Sequence, residues 1–139
     1  MRILGIDYGD ARIGLALSDE TGTIAGPLPT YLSVSMRKDA DYIARLALEK
    51  EAGCIVLGLP LNMDGTKGER ALKAEAFGRV LAKITDLEVA YKDERLSTVA
   101  AGRDLTAVGM RREKQKSVVD AAAAMLILQG YLDKRNFRG

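Results

Sequence analysis

Apolar and polar positions alternate at the start of the chain, with Leu4 and Ile6 set against Gly5 and Asp7. A period of two predicts a strand that ends near Asp7. Tyr8-Gly9-Asp10 reads as a turn, residues 13–17 as a second strand, and the two together as a hairpin. After a turn at residues 20–22, residues 24–32 supply a third strand, and Pro27 and Pro29 put it at an edge or a bend. The period then lengthens. Residues 38–51 predict a helix with Ala40, Ile43, Ala44 and Ala47 on one face and Gly53 in the stop position. Residues 54–59 form an unbroken apolar run, the mark of a strand buried on both faces, and Pro60 ends it.

Residues 61–68 form a polar loop around the turn pair Asp64-Gly65. A second helix is expected over residues 69–84, with Leu72, Ala76, Phe77, Val80, Leu81 and Ile84 turned inward. Residues 87–91 predict a fifth strand. Ser97 or Thr98 then caps a helix carrying Val99, Ala101, Leu105 and Val108. A basic connection, Arg111, Arg112, Lys114 and Lys116, leads to a long helix that opens at Ser117 and reaches about Asp133, with residues 134–139 expected to fray. Three early strands followed by alternating helices and strands give an α/β fold, a mixed sheet flanked by helices, in a single domain over residues 1–139.

Composition narrows the chemistry. Histidine is absent, which removes Ser-His-Asp triads, Cys-His pairs and His-ligated zinc. The single cysteine, Cys54, lies in an apolar strand and reads as a buried structural thiol, as suits a reducing cytoplasm. The longest apolar run, residues 121–128, falls well short of the roughly 20 residues of a membrane helix. The formal net charge is only +2, but it is unevenly spread. Residues 1–35 carry two basic and four acidic side chains, whereas residues 92–139 carry ten basic and six acidic ones. A basic C-terminal third suits phosphates, although a solvated surface explains it equally well.

Three carboxylates stand at element ends: Asp7 closes the first strand, Glu94 follows the fifth, and Asp120 lies in the first turn expected of the last helix. Ligand sites of open α/β sheets form past the ends of the central strands. Carboxylates gathered there repel one another unless a hard cation, Mg²⁺ or Mn²⁺, joins them. Two such ions can stabilise both the attacking and the leaving oxygen of a phosphodiester, and histidine is not needed. Each acid also has a plainer explanation: a turn for Asp7, surface charge for Glu94, and a capping box, Ser117 to Asp120, for the third.

The segments around these acids are more specific. Ile6-Asp7-Tyr8-Gly9, the run from Gly58-Leu59-Pro60 to Thr66, Asp93-Glu94-Arg95-Leu96-Ser97-Thr98, and Asp120-Ala121-Ala122-Ala123-Ala124 through Gln129 occur in that order. Together they resemble the bacterial YqgF family, also called RuvX, over nearly the whole chain. The resemblance implies a ribonuclease H-like fold and a cytoplasmic hydrolase whose acidic triad falls on Asp7, Glu94 and Asp120. It implies trimming of the 5′ end of precursor 16S ribosomal RNA, with precursor RNA and ribosomal particles as partners. The older description of the family is resolution of four-way DNA junctions.

Other residues complete the expected site. Arg12 and Arg95 could reach phosphates, as could Asn62 and Thr66 in the polar loop, and Arg111, Arg112, Lys114 and Lys116 could track a nucleic-acid backbone. Tryptophan is absent and other aromatics are sparse, so shape and charge outrank base stacking. Two other readings stay open. Asp7-Tyr8-Gly9 with Gly14 also resembles the phosphate loop of actin-like ATPases and sugar kinases, which pair two such domains. A non-catalytic ribosome-assembly factor would share the basic surface but gain nothing from three clustered acids.

Overall fold

The computed structural model describes residues 1–94 and 112–137, with side chains from residue 119 onward in the second stretch. Five strands form one mixed sheet in the order β3-β2-β1-β4-β5. β1 (Arg2–Tyr8), β2 (Arg12–Ser18) and β3 (Ala25–Leu32) are an antiparallel meander, and β4 (Ala52–Leu59) and β5 (Glu88–Asp93) run parallel to β1. Helices α1 (Met36–Glu49) and α2 (Glu69–Thr85) lead into β4 and β5, and α3 (Arg112–Phe137) closes the chain. The expected α/β architecture is thus present. No helix among the described residues is long and apolar enough to cross a membrane.

Alternation along the strands sorts side chains between two layers. Leu4, Ile6, Ile13, Leu15, Ile55 and Leu57 face α1 and α2, where Ile43, Phe77 and Leu81 complete a fully buried cluster. Ile3, Ala16, Cys54 and Val56 face α3 and pack on Ala123, Ala124, Ile127 and Leu128. β4 is buried on both faces, as its unbroken apolar run requires. β3 is an edge strand, which accommodates Pro27 and Pro29. Its pairing with β2 slips between Ile13 and Leu15, so Pro29 and Thr30 oppose the single residue Gly14.

Several expectations need correction. Gly53 does not terminate α1. The left-handed residue is Glu51 (φ 57°), Lys50 caps the helix, and Gly53 is already in β4, against Met1. The buried stripe of α2 is Ala71, Ala74, Phe77, Gly78 and Leu81, while Leu72 is 54% exposed. The face of small residues turns inward because it lets the helix approach Tyr91 and Leu57 through Gly78.

The basic run is not a connection either. Arg112, Lys114 and Lys116 belong to α3, so Ser117 does not open it and Asp120 is its ninth residue. A helix of 26 residues carries its backbone bonds through Ser117, which makes a capping box there impossible. Nor does the chain fray at residue 134. Asn136 donates to the Gly22 carbonyl (3.0 Å), and Gln129 bonds both Thr23 and Ala25, tying α3 to the β2–β3 turn as far as Asn136. The helix expected over residues 99–108, with its Ser97 or Thr98 cap, lies outside the described residues.

Candidate active site

β1 sets the first acid. Gly5 and Asp7 share the face that looks towards α3, because Leu4, Ile6 and Tyr8 look the other way. Asp7 is 6% exposed. It pairs with Gly14 of β2, and since Ile6 pairs with Leu57 of β4, Asp7 stands beside Gly58. One row of the sheet therefore reads Gly14–Asp7–Gly58, with the acid as its only side chain.

The two glycines make room for the other acids. A Cβ on Gly14 would run into the main-chain carbonyl of Asp120 and lie 3.3 Å from the Asp120 Cβ. A Cβ on Gly58 would lie 2.7 Å from Glu94 Oε2 and 2.6 Å from Ile127 Cδ1. Asp120 thus sits over the β2 side of Asp7, and Glu94 over the β4 side. The Glu94 backbone is pinned by its N–H to the Leu59 carbonyl (3.1 Å). The structure brings together three residues that are far apart in sequence. An isolated glycine within a strand signals close approach of another backbone or a ligand, and at Gly14 and Gly58 the approaching groups are Asp120 and Glu94.

Arg12, from the start of β2, pairs with Asp120 (Nε to Oδ2, 3.3 Å), and both side chains are about three-quarters buried. Its first described partner is therefore a carboxylate. Asn62 and Thr66 bond each other across their loop (3.0 Å), and Asp64 accepts both the amide and the hydroxyl of Thr66. Gly65 (φ 88°) closes that turn. Their side chains serve the loop itself. Arg95 and Arg111 lie outside the described residues, as do the side chains of Arg112, Lys114 and Lys116. Nearby, burial and then the Asp39 and Asp10 carboxylates raise the pKa of the Tyr8 phenol, which stays protonated.

The donor set suits a hard divalent cation: oxygen ligands only, beside a cradle that a single methyl group would fill. Side-chain convergence is less complete than backbone placement. Among the described residues, no three acidic or cysteine side chains are gathered closely enough to hold one ion together. Asp120 is instead turned to Arg12.

Known proteins resemble this chain in sequence and in fold. Residues 1–134 match the family model described as RuvX, Holliday junction resolvase. A protein of Beijerinckia indica named "Putative pre-16S rRNA nuclease" is 47% identical over 133 residues, covering 96% of this chain and 81% of its own. Relatives with the same name from Agathobacter rectalis (47% identical; 96% and 95% covered) and Acetivibrio thermocellus (46% identical; 97% and 97% covered) match nearly end to end. Among solved structures, RuvC of Thermus thermophilus in complex with Holliday junction substrate superimposes with a TM-score of 0.59 at 12% identity, covering 98% and 96% of the two chains. The fowlpox virus Holliday junction resolvase gives the same TM-score at 14% identity, covering 96% and 99%. These two likenesses bear on the fold, which is ribonuclease H-like. The sequence match runs through every element that carries the three acids, and on it the chain belongs to the RuvX family of Holliday junction resolvases.

Proposed function

We propose that the chain is a nuclease that cleaves a phosphodiester bond at the Gly14–Asp7–Gly58 row, with Asp7, Glu94 and Asp120 as its acidic triad and Mg²⁺ or Mn²⁺ as its cofactor. The observation that carries this reading is the seating of Asp120 and Glu94 over the two glycines that flank Asp7. A structural acid needs no such clearance. A polyanion-binding module would be weakened by three carboxylates on one face.

The divalent cation, when bound, would stabilise charge on the attacking and leaving oxygens of the scissile phosphate. Asp7 supplies a carboxylate fixed by a central strand. Glu94 supplies one whose backbone is anchored to β4 through the Leu59 carbonyl. Arg12 orients the Asp120 carboxylate through their ion pair, and Asp120 would be shared between this guanidinium and a bound cation. The basic residues Arg95, Arg111, Arg112, Lys114 and Lys116 would supply phosphate contacts, and Asn62 and Thr66 would contribute through the loop beyond β4.

The relatives' names favour precursor 16S ribosomal RNA as the substrate, and trimming of its 5′ end in the cytoplasm is part of the same proposal. The family description favours four-way DNA junctions instead. A cleavage assay with Mg²⁺ and with Mn²⁺, on a ribosomal RNA precursor and a synthetic four-way junction in parallel, separates the two. Asp7→Asn should abolish cleavage of whichever is cut while retaining most binding. Full cleavage by that variant would reject the triad, and metal-independent binding without any cleavage would favour an assembly factor.

A further inference from the structure

The row that holds Asp7 continues one strand further. Gly58 pairs with Lys92 of β5, so Lys92 lies on the same face, two strand spacings or roughly 10 Å from Asp7. Its stem crosses α3 at Gly130, where a Cβ would lie 3.1 Å from Lys92 Cε. Glycine within a helix costs roughly 0.5–1 kcal/mol relative to alanine, and here it lets a lysine lie flat against the helix. The lysine enters a cleft of about 520 Å³ between β5 and the C-terminal half of α3, lined by Tyr91, Lys92, Asp93, Tyr131, Lys134 and Arg135. Arg135 marks the far end, near the β2–β3 turn at Gly22. None of the three cations is ion-paired with another described residue.

We infer that this cleft binds the phosphodiester backbone of a single-stranded segment of the substrate and leads it away from the carboxylate row. Three cations against one carboxylate among the lining residues give the cleft a net positive charge, which favours phosphates. Through Lys92 the β5 end of the cleft lies level with Asp7, and from there the cleft follows the last turns of α3, a path that a strand cut at the row could take. Tyr131, on the α3 wall of the cleft, offers sequence-tolerant apolar contact to a base. The inference rests on the nuclease reading for its substrate, but its test does not depend on cleavage.

Binding of a fluorescent single-stranded oligoribonucleotide, in chelator and across a range of salt concentrations, should be compared between the native chain and the combined variant Lys92→Gln, Lys134→Gln, Arg135→Gln. Loss of three phosphate contacts should lower the slope of log affinity against log salt by about 2 and weaken binding at least tenfold. Gly130→Ala, which keeps every charge but displaces Lys92, should weaken binding by a smaller factor. A control removing three cations from the opposite layer, Lys38→Gln, Arg45→Gln and Lys83→Gln, should leave the slope near native. Equal loss in the cleft and control variants, or no loss in either, would overturn the cleft assignment while leaving the nuclease reading intact. Failure of the native chain to bind any nucleic acid would overturn both.

Discussion

On the α1–α2 face the strands present Leu4, Ile6, Ile13, Leu15, Ile55 and Leu57, while on the α3 face the same strands present Ile3, Gly5, Asp7, Gly14, Ala16, Val56 and Gly58. The first face is filled with large aliphatic side chains and Phe77, and it supplies most of the apolar burial that holds the domain together. The second is built of small residues, and a helix comes down on it almost backbone to backbone. At Gly5, a Cβ would lie 2.7 Å from Leu128 Cβ and 3.3 Å from the Ala124 carbonyl. The difference shows where function can be housed. A helix kept at a distance by leucine and isoleucine could not deliver the Asp120 main chain to the end of β1, whereas a helix resting on glycine and alanine does.

The contrast can be broken from either side. Phe77→Ala, on the filled face, should lower stability by about 3–5 kcal/mol through cavity formation. Urea unfolding measures that loss, and the cleavage rate per folded molecule should stay near native. Gly14→Ala, on the close-packed face, should cost about 1–3 kcal/mol through overpacking. Because it pushes the Asp120 backbone, it should also reduce cleavage by about a hundredfold even where the protein is fully folded. A Gly14→Ala protein with native activity would show that the close approach of α3 is dispensable.

Smaller effects sharpen the picture at the opposite end of α3. Asp19 has its pKa lowered to about 2 by the Thr21 hydroxyl first and then by the Ile24 and Thr23 amides. A carboxylate depressed in the folded state contributes stability above its unfolded pKa of roughly 4 and loses that contribution as the pH falls towards 2. The urea midpoint of the native chain should therefore fall between pH 5 and pH 2.5 by more than that of Asp19→Asn. Least of all should be the response of Cys54 to alkylation. Burial raises its thiol pKa, so iodoacetamide at pH 8 should label it far more slowly in the native protein than in urea. Rapid native labelling would show that α3 lifts from the sheet.

Strand and helix order was legible because each period had one plausible reading. β1 alternates from Leu4 to Asp7, β4 is an unbroken apolar run of strand length, and the prolines of residues 25–32 point to an edge or a bend. Boundaries were less legible where two residues competed for one role. Gly53 had the usual identity for a helix stop, but Glu51 took the left-handed turn because Gly53 was needed against Met1 at the start of β4. On α2, Phe77, Val80, Leu81 and Ile84 pack on the core as their spacing predicts, but hydrophobicity also favours Leu72, whereas packing distance favours Ala71, Ala74 and Gly78.

The sequence by itself determined the kind of chemistry available: carboxylates without histidine, an α/β order of elements, and the motifs that place the chain in its family. Only the tertiary structure decided that Asp7 stands between two glycines, that α3 carries Asp120 two turns into a helix rather than at its start, and that Arg12 answers Asp120. The physical reason is that a period of two or 3.6 states which way a side chain points along its own element but not what lies opposite. Opposition is settled by strand order, register and the thickness of the side chains in between, and those are properties of the packed sheet.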